Sequence, residues 1–205
     1  MTGVDTRNAL NHESKTHTRQ RILSAATEIF SEKGYYGTAV DDIVKASNSS
    51  KGSFYFHFPS KQEIFFSLID RFVVSLTSNI EIAVDRENGT YNKIDAALCV
   101  VFNTISKHRS LAKILLIGGV GLGKVFDEKL LDGHARLAGL IKKYLDLAVE
   151  EGSIESINTE VMAYAWFGSM NEVVIRWLYL DRSDFLDEAF DTVRAMLLSS
   201  INTKK

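Results

Sequence analysis

A chain of 205 residues with 45% hydrophobic and 24% charged side chains has the make-up of a soluble globular protein, and it is long enough to bury a sizeable core. No apolar run is long enough to span a bilayer and no signal-peptide core stands at the N-terminus, so a cytoplasmic protein is expected; the single cysteine, Cys99, excludes an internal disulfide. The net charge is −2, but residues 1–61 hold eight Lys/Arg against six Asp/Glu, a surplus of +2 against −4 for the rest, which leaves room for an anionic partner at the N-terminal end.

Proline occurs once, at Pro59. Because proline removes a backbone donor and clashes with the preceding turn, its scarcity points to an almost wholly helical chain. Residues 1–15 are polar and aperiodic and read as a disordered arm. From Thr18 a helical period sets in, with Ile22, Ala25, Ala26, Ile29 and Phe30 on one face, and Gly34 is placed to end that helix. Thr38 followed by Asp41 reads as a cap for a short second helix whose buried side is Val40, Ile43 and Val44. The polar run Ser47–Ser50 ends it and caps a third helix over 51–58, which Pro59 terminates. Ser60 with Glu63 forms a capping box for the fourth. Further helices are expected near 60–86, 91–108, 110–117, 124–151, 159–181 and 184–201, with breaks at Gly89, Gly118–Gly123, Gly152 and Asp181–Ser183. The expected fold is all-α, about nine helices in total. A helix-turn-helix domain over 16–62 precedes a larger helical body over 63–205.

Two short helices joined by a four-residue polar turn make a helix-turn-helix, whose second helix fits the DNA major groove. Thr38, at a helix N-terminus, is placed to offer a phosphate its hydroxyl and backbone N–H groups. Lys51 opens the recognition helix and suits a guanine edge or a phosphate. Gly52 and Ser53 are small enough for close approach to bases, and Tyr55 offers a phenol to phosphate or an edge to a thymine methyl. Phe54 and Phe58, at i and i+4, read as core. Asp41 reads as a helix-cap charge, and Phe56 is left open between a surface position and a sugar-phosphate contact.

Gly34, Thr38, Ile43, Lys51-Gly52, Phe54-Tyr55, His57-Phe58 and Ser60-Lys61 follow one another in order, behind Ala25-Ala26 and Phe30. Together, over about residues 18–66, they resemble the signature of the TetR/AcrR repressors. The resemblance implies that His57 and Lys61 clamp phosphates, and that the body binds a small-molecule effector. The expected function is therefore a ligand-responsive repressor, with no catalytic residues, metal or cofactor. It would hold a palindromic operator as a homodimer, since a two-fold protein matches a two-fold site. Trp166, Met170, Val173, Val174, Trp177 and Leu178 on one late helix, and Phe185, Ala189, Val193, Met196 and Leu197 on the next, are the candidate dimer stripes. Phe65, Phe72 and Phe102 suit a hydrophobic effector, with Asn103, His108 or Asn171 as polar anchors.

Two other functions compete with this one. Gly118–Lys124 has the glycine and lysine spacing of a Walker A loop, the mark of a nucleotide-hydrolysing enzyme. Val125 stands where Ser or Thr should hold Mg2+, and a helix rather than a strand is expected before it. A hinge between helices is the preferred reading. The five histidines show no metal spacing and no nucleophile motif is present. A helical adaptor that has lost DNA binding is the other alternative.

Overall fold

The computed structural model describes the backbone of residues 4–119, 121–180 and 185–201, with side chains from residue 16 onward in those ranges. Among the described residues there are nine α-helices, one π-helical turn and no strand. They are α1 (Val4–Gly37), α2 (Val40–Ala46), α3 (Lys51–His57), α4 (Lys61–Val84), α5 (Thr90–Lys107), α6 (Arg109–Lys113), α7 (Lys124–Glu150), α8 (Thr159–Tyr179) and α9 (Phe185–Ser200). The π turn, Ile114–Gly118, continues α6. The chain divides into two compact units, a head reaching to Ile69 and a body from Asp70, with the boundary inside α4.

The reading of 1–15 as a disordered arm is corrected: α1 is helical from Val4. No glycine or proline interrupts residues 4–15, and Arg7, Ala9, Leu10, Glu13 and Lys15 are good helix formers. Residues 1–3 lie outside the described residues, as do Val120 and the break expected at Asp181–Ser183.

The head is built on α1, which breaks at Gly34, where φ 71° and ψ 176° suit a residue without Cβ. Ile22, Leu23, Ala26 and Phe30 of α1, Ile43 of α2, Phe54 and Phe58 around α3, and Ile64 and Phe65 of α4 form its core. Phe30 and Phe65 meet edge to face at 5.4 Å, a favoured geometry for aromatic rings. Between α2 and α3 the chain turns on Asn48, which has φ 53°. Asn48 N–H donates to Lys45 O and Ser49 N–H to Val44 O, the two bonds of a Schellman C-cap. Ser50 then accepts the Ser53 N–H and starts α3, and Ser60 accepts the Glu63 N–H at the start of α4.

In the body, α7 and α8 run antiparallel: Thr159 donates to Asp146 at one end and the rings of His134 and Phe167 meet at 5.0 Å farther along. Arg109 closes the end of α8, donating to the carbonyls of Trp177, Leu178 and Leu180 while lying over the Trp177 ring. Asp95 of α5 pairs with Arg194 of α9. No described helix is long and apolar enough to cross a membrane. The Gly118–Lys124 segment follows a helix and a π turn and leads into α7, so the strand that a phosphate-cradling loop grows from is absent among the described residues.

Candidate DNA-binding face and effector cavity

α3 has two sides with separate jobs. Phe54 is fully buried and Phe58, its C-cap, is 2% exposed. Each such burial contributes about 1.5–3 kcal/mol and holds the helix on the head. Arg19 of α1 stacks over the Phe58 ring at 4.9 Å. On the other side Lys51 and Gly52 are exposed, Tyr55 is 47% and Phe56 68% exposed, and Ser53 and His57 are half-buried. The exposed side therefore presents a cation, a small-residue step and a phenol whose ring rests edge to face on Phe54.

Lys51 does have a neighbour. Its ammonium lies 2.8 Å from the Asp41 carboxylate, and that contact raises its pKa above the ordinary 10.5. Asp41 was read from the sequence as a cap charge only. The cap belongs instead to Asp42, whose carboxylate accepts the Ala39 N–H at 3.2 Å. A hydrogen bond from Lys33 first, and that from Ala39 second, hold Asp42 below the ordinary 3.8.

Two residues expected at the DNA are committed elsewhere. Thr38 is 2% exposed, its hydroxyl donates to Gly34 O at 2.7 Å and its N–H donates to Tyr35 O. It closes the turn after α1 and caps nothing. Lys61 reaches back from α4, donating to Tyr35 O at 2.7 Å and Thr38 O at 2.8 Å, with its ammonium 4.3 Å from the Tyr35 ring centre. Burial lowers its pKa. Both corrections have one cause: the chain leaving α1 exposes carbonyls that need donors, and these two side chains supply them.

The body holds a partly open cavity of about 110 Å3, lined from α4, α5, α6 with its π turn, α7 and α8. Phe72 and Asn171, expected to face an effector, line it. The other expected residues do not. Phe65 is in the head core against Phe30 and Tyr35, Phe102 turns to α9 and packs on Phe190 at 4.8 Å, and Asn103 and His108 are exposed. Leu76, Ile80, Ile94, Ile141, Tyr144 and Phe167 complete much of the wall; nothing in the sequence marks them, because an apolar helical stripe reads alike whether it meets a neighbour or a cavity. Lys93 and Tyr144 also border an adjoining recess of about 10 Å3 that contains Thr90 and Glu151. Deeper in, Asn171 Oδ1 is buried without a hydrogen-bond partner.

Most of the expected dimer stripe faces the interior of the subunit. Trp166, Met170 and Val174 line the cavity, and Trp177 and Val193 are buried inside the subunit. Val173, Phe185 and Ala189 are half-buried, and of the expected residues only Met196 is well exposed, at 47%. The exposed side of the same two helices carries Val161, Tyr164, Ala165, Gly168 and Tyr179 on α8 and Ala195 and Met196 on α9.

Residues 22–68 match the family model of bacterial regulatory proteins, tetR family. The Bacillus subtilis HTH-type transcriptional regulator LmrA is 53% identical over 45 residues, which is 22% of this chain and 24% of that protein. The fatty acid metabolism regulator protein of Bacillus subtilis is 25% identical over 196 residues, 90% of this chain and 95% of that one. The crystal structure of the transcriptional regulator FadR from Bacillus subtilis in complex with stearoyl-CoA superposes with a TM-score of 0.82 at 20% identity, covering 89% of this chain and 99% of its own. The helix-turn-helix and the family match over it agree: residues 22–68 form a DNA-binding domain of the tetR family of bacterial regulatory proteins, and the chain as a whole shares its all-α fold with solved regulators.

Proposed function

We propose that the protein is a cytoplasmic, non-enzymatic repressor that grips a palindromic operator as a homodimer and lets go when a long apolar molecule enters the body cavity. The observation that carries the DNA half is the division of labour on α3. Phe54 and Phe58 fix the helix, while the exposed Lys51, Gly52 and Tyr55, with the half-buried Ser53 and His57, make the side we assign to a major groove. The phosphate contacts position the protein and the few base contacts specify the site. The exposed apolar side of α8 and α9 is the surface we assign to the dimer, a four-helix arrangement with the symmetry mate.

The effector half rests on an apolar cavity with polar groups at its margins, together with a relative of the same fold crystallised with stearoyl-CoA. We assign the cavity to a long acyl chain, its polar end toward Lys93 and Tyr144. A ligand that prefers the DNA-free conformation by a few kcal/mol is sufficient to empty the operator.

The test is a gel shift with the DNA flanking the protein's own gene, with and without dodecanoyl-CoA. A specific complex is expected, weakened by salt and released by the acyl-CoA. Lys51→Ala with Tyr55→Ala should lose roughly 1–3 kcal/mol of specific binding per base contact removed while the dimer persists. The absence of any specific complex would overturn the reading.

A further inference from the structure

The cavity wall is hydrocarbon almost throughout, yet it includes one amide. Asn171 stands on α8 among Phe167, Met170 and Val174, which line the same space, and its Oδ1 is buried with no hydrogen-bond partner. Native interiors keep very few such orphans, because each gives up its hydrogen bonds to water and regains nothing. A leucine at this position would fill similar space and avoid the loss. An amide kept there has a use if the cavity's occupant supplies the missing donor.

The register of α7 and α8 says which part of the occupant that is. Tyr144, at the recess shared with Lys93, lies next to the Asp146–Thr159 end of the antiparallel pair. Asn171 lies one turn past Phe167, beyond the level where that ring meets His134. At 1.5 Å per residue, Tyr144 and Asn171 are roughly 15–20 Å apart along the bundle. The polar head of an extended chain at Lys93 cannot also reach Asn171; only the far end of the chain can.

We infer that the effector is an amphipathic chain whose buried tail carries a hydroxyl, donated to Asn171 Oδ1, so that Asn171 is the residue that selects a hydroxylated tail over a plain one. The terminal torsion of an asparagine is broad, so the oxygen turns toward the cavity at little cost. The inference rests on the reading of the cavity as the effector site, and the two fail separately.

Calorimetric titration of the full chain with ω-hydroxydodecanoate and with its methyl ether, ω-methoxydodecanoate, tests it. The two probes share the chain, the head and the terminal oxygen, and differ in the O–H donor, which the ether replaces with a methyl group; Asn171→Leu, measured with the same pair, separates the lost donor from the added methyl. The wild type should bind the hydroxyl probe about tenfold more tightly, the scale of one buried hydrogen bond. Asn171→Leu should abolish that preference while keeping the affinity for the ether, and its melting temperature without ligand should not fall. Asn171→Met, unbranched and of similar size, serves the same purpose if leucine disturbs the packing. Equal binding of the two probes by the wild type overturns the inference while leaving the cavity reading intact. So does a preference that survives in both variants. If neither probe nor dodecanoyl-CoA binds, the cavity reading falls and the inference falls with it.

Discussion

Lys51 and Lys61 carry the same charge and are put to opposite uses. Lys51 is held at the surface by a single exposed carboxylate, Asp41, a pair worth little to stability because water and salt screen it. Phosphate competes with that carboxylate for the same ammonium. Asp41→Asn should therefore tighten DNA binding roughly two- to fivefold at low salt and steepen its salt dependence, since one more cation is free to displace counterions. Titrations at several salt concentrations check this, and weaker binding would mean that Asp41 orients Lys51 rather than restraining it. Lys61, by contrast, spends its ammonium on two backbone carbonyls. Lys61→Met should cost the head roughly 1–2 kcal/mol, allowing for partial solvent screening of a charged hydrogen-bond pair. Operator affinity, measured where the variant is fully folded, should change less than twofold. A large loss of affinity with unchanged stability would return Lys61 to the DNA.

Among the elements, the helix ends were the most legible part of the sequence and the helix faces the least. Ends are set by local chemistry: Gly34, the Ser47–Ser50 run, Ser60 and Gly152 each act within one turn, and the helices fall close to where those residues place them. Gly34 gives the sharpest test. Its φ of 71° with ψ of 176° lies in a region reserved for glycine, and no atom lies within 4 Å of where a Cβ would stand. Gly34→Ala should thus cost about 1–3 kcal/mol from backbone strain alone, read as a lower denaturant midpoint with an unchanged slope. Faces are set by what lies across the gap, which no local pattern states. Trp166, Met170 and Val174 form a stripe that a symmetry mate or a cavity would satisfy equally, and the cavity took it. The bonds of Lys61 to the carbonyls of Tyr35 and Thr38, more than twenty residues away in the chain, were beyond reach for the same reason. Thr38 was misplaced by a single residue of register, since Ala39 and Asp42 form the cap that Thr38 and Asp41 seemed to offer.

Stability and occupancy of the cavity are linked, because a ligand that binds only the folded body stabilises it by mass action. At about one hundred times its dissociation constant, the gain is about 2.7 kcal/mol. With about 2–4 °C per kcal/mol for a chain of this size, dodecanoyl-CoA should raise the melting temperature of the body by roughly 5–10 °C. Ala97 is half-buried on α5 and lines the cavity, so Ala97→Phe places a ring where the acyl chain would lie. The variant fills space rather than adding volume to a packed core, so its own melting temperature should stay within a few degrees of the wild type. The thermal shift with dodecanoyl-CoA should then vanish, and the variant should hold its operator in the presence of the ligand. If Ala97→Phe instead shifts as the wild type does, the acyl chain binds elsewhere. If it loses DNA binding with no ligand present, the ring itself acts as the effector, and filling this cavity is what turns the repressor off.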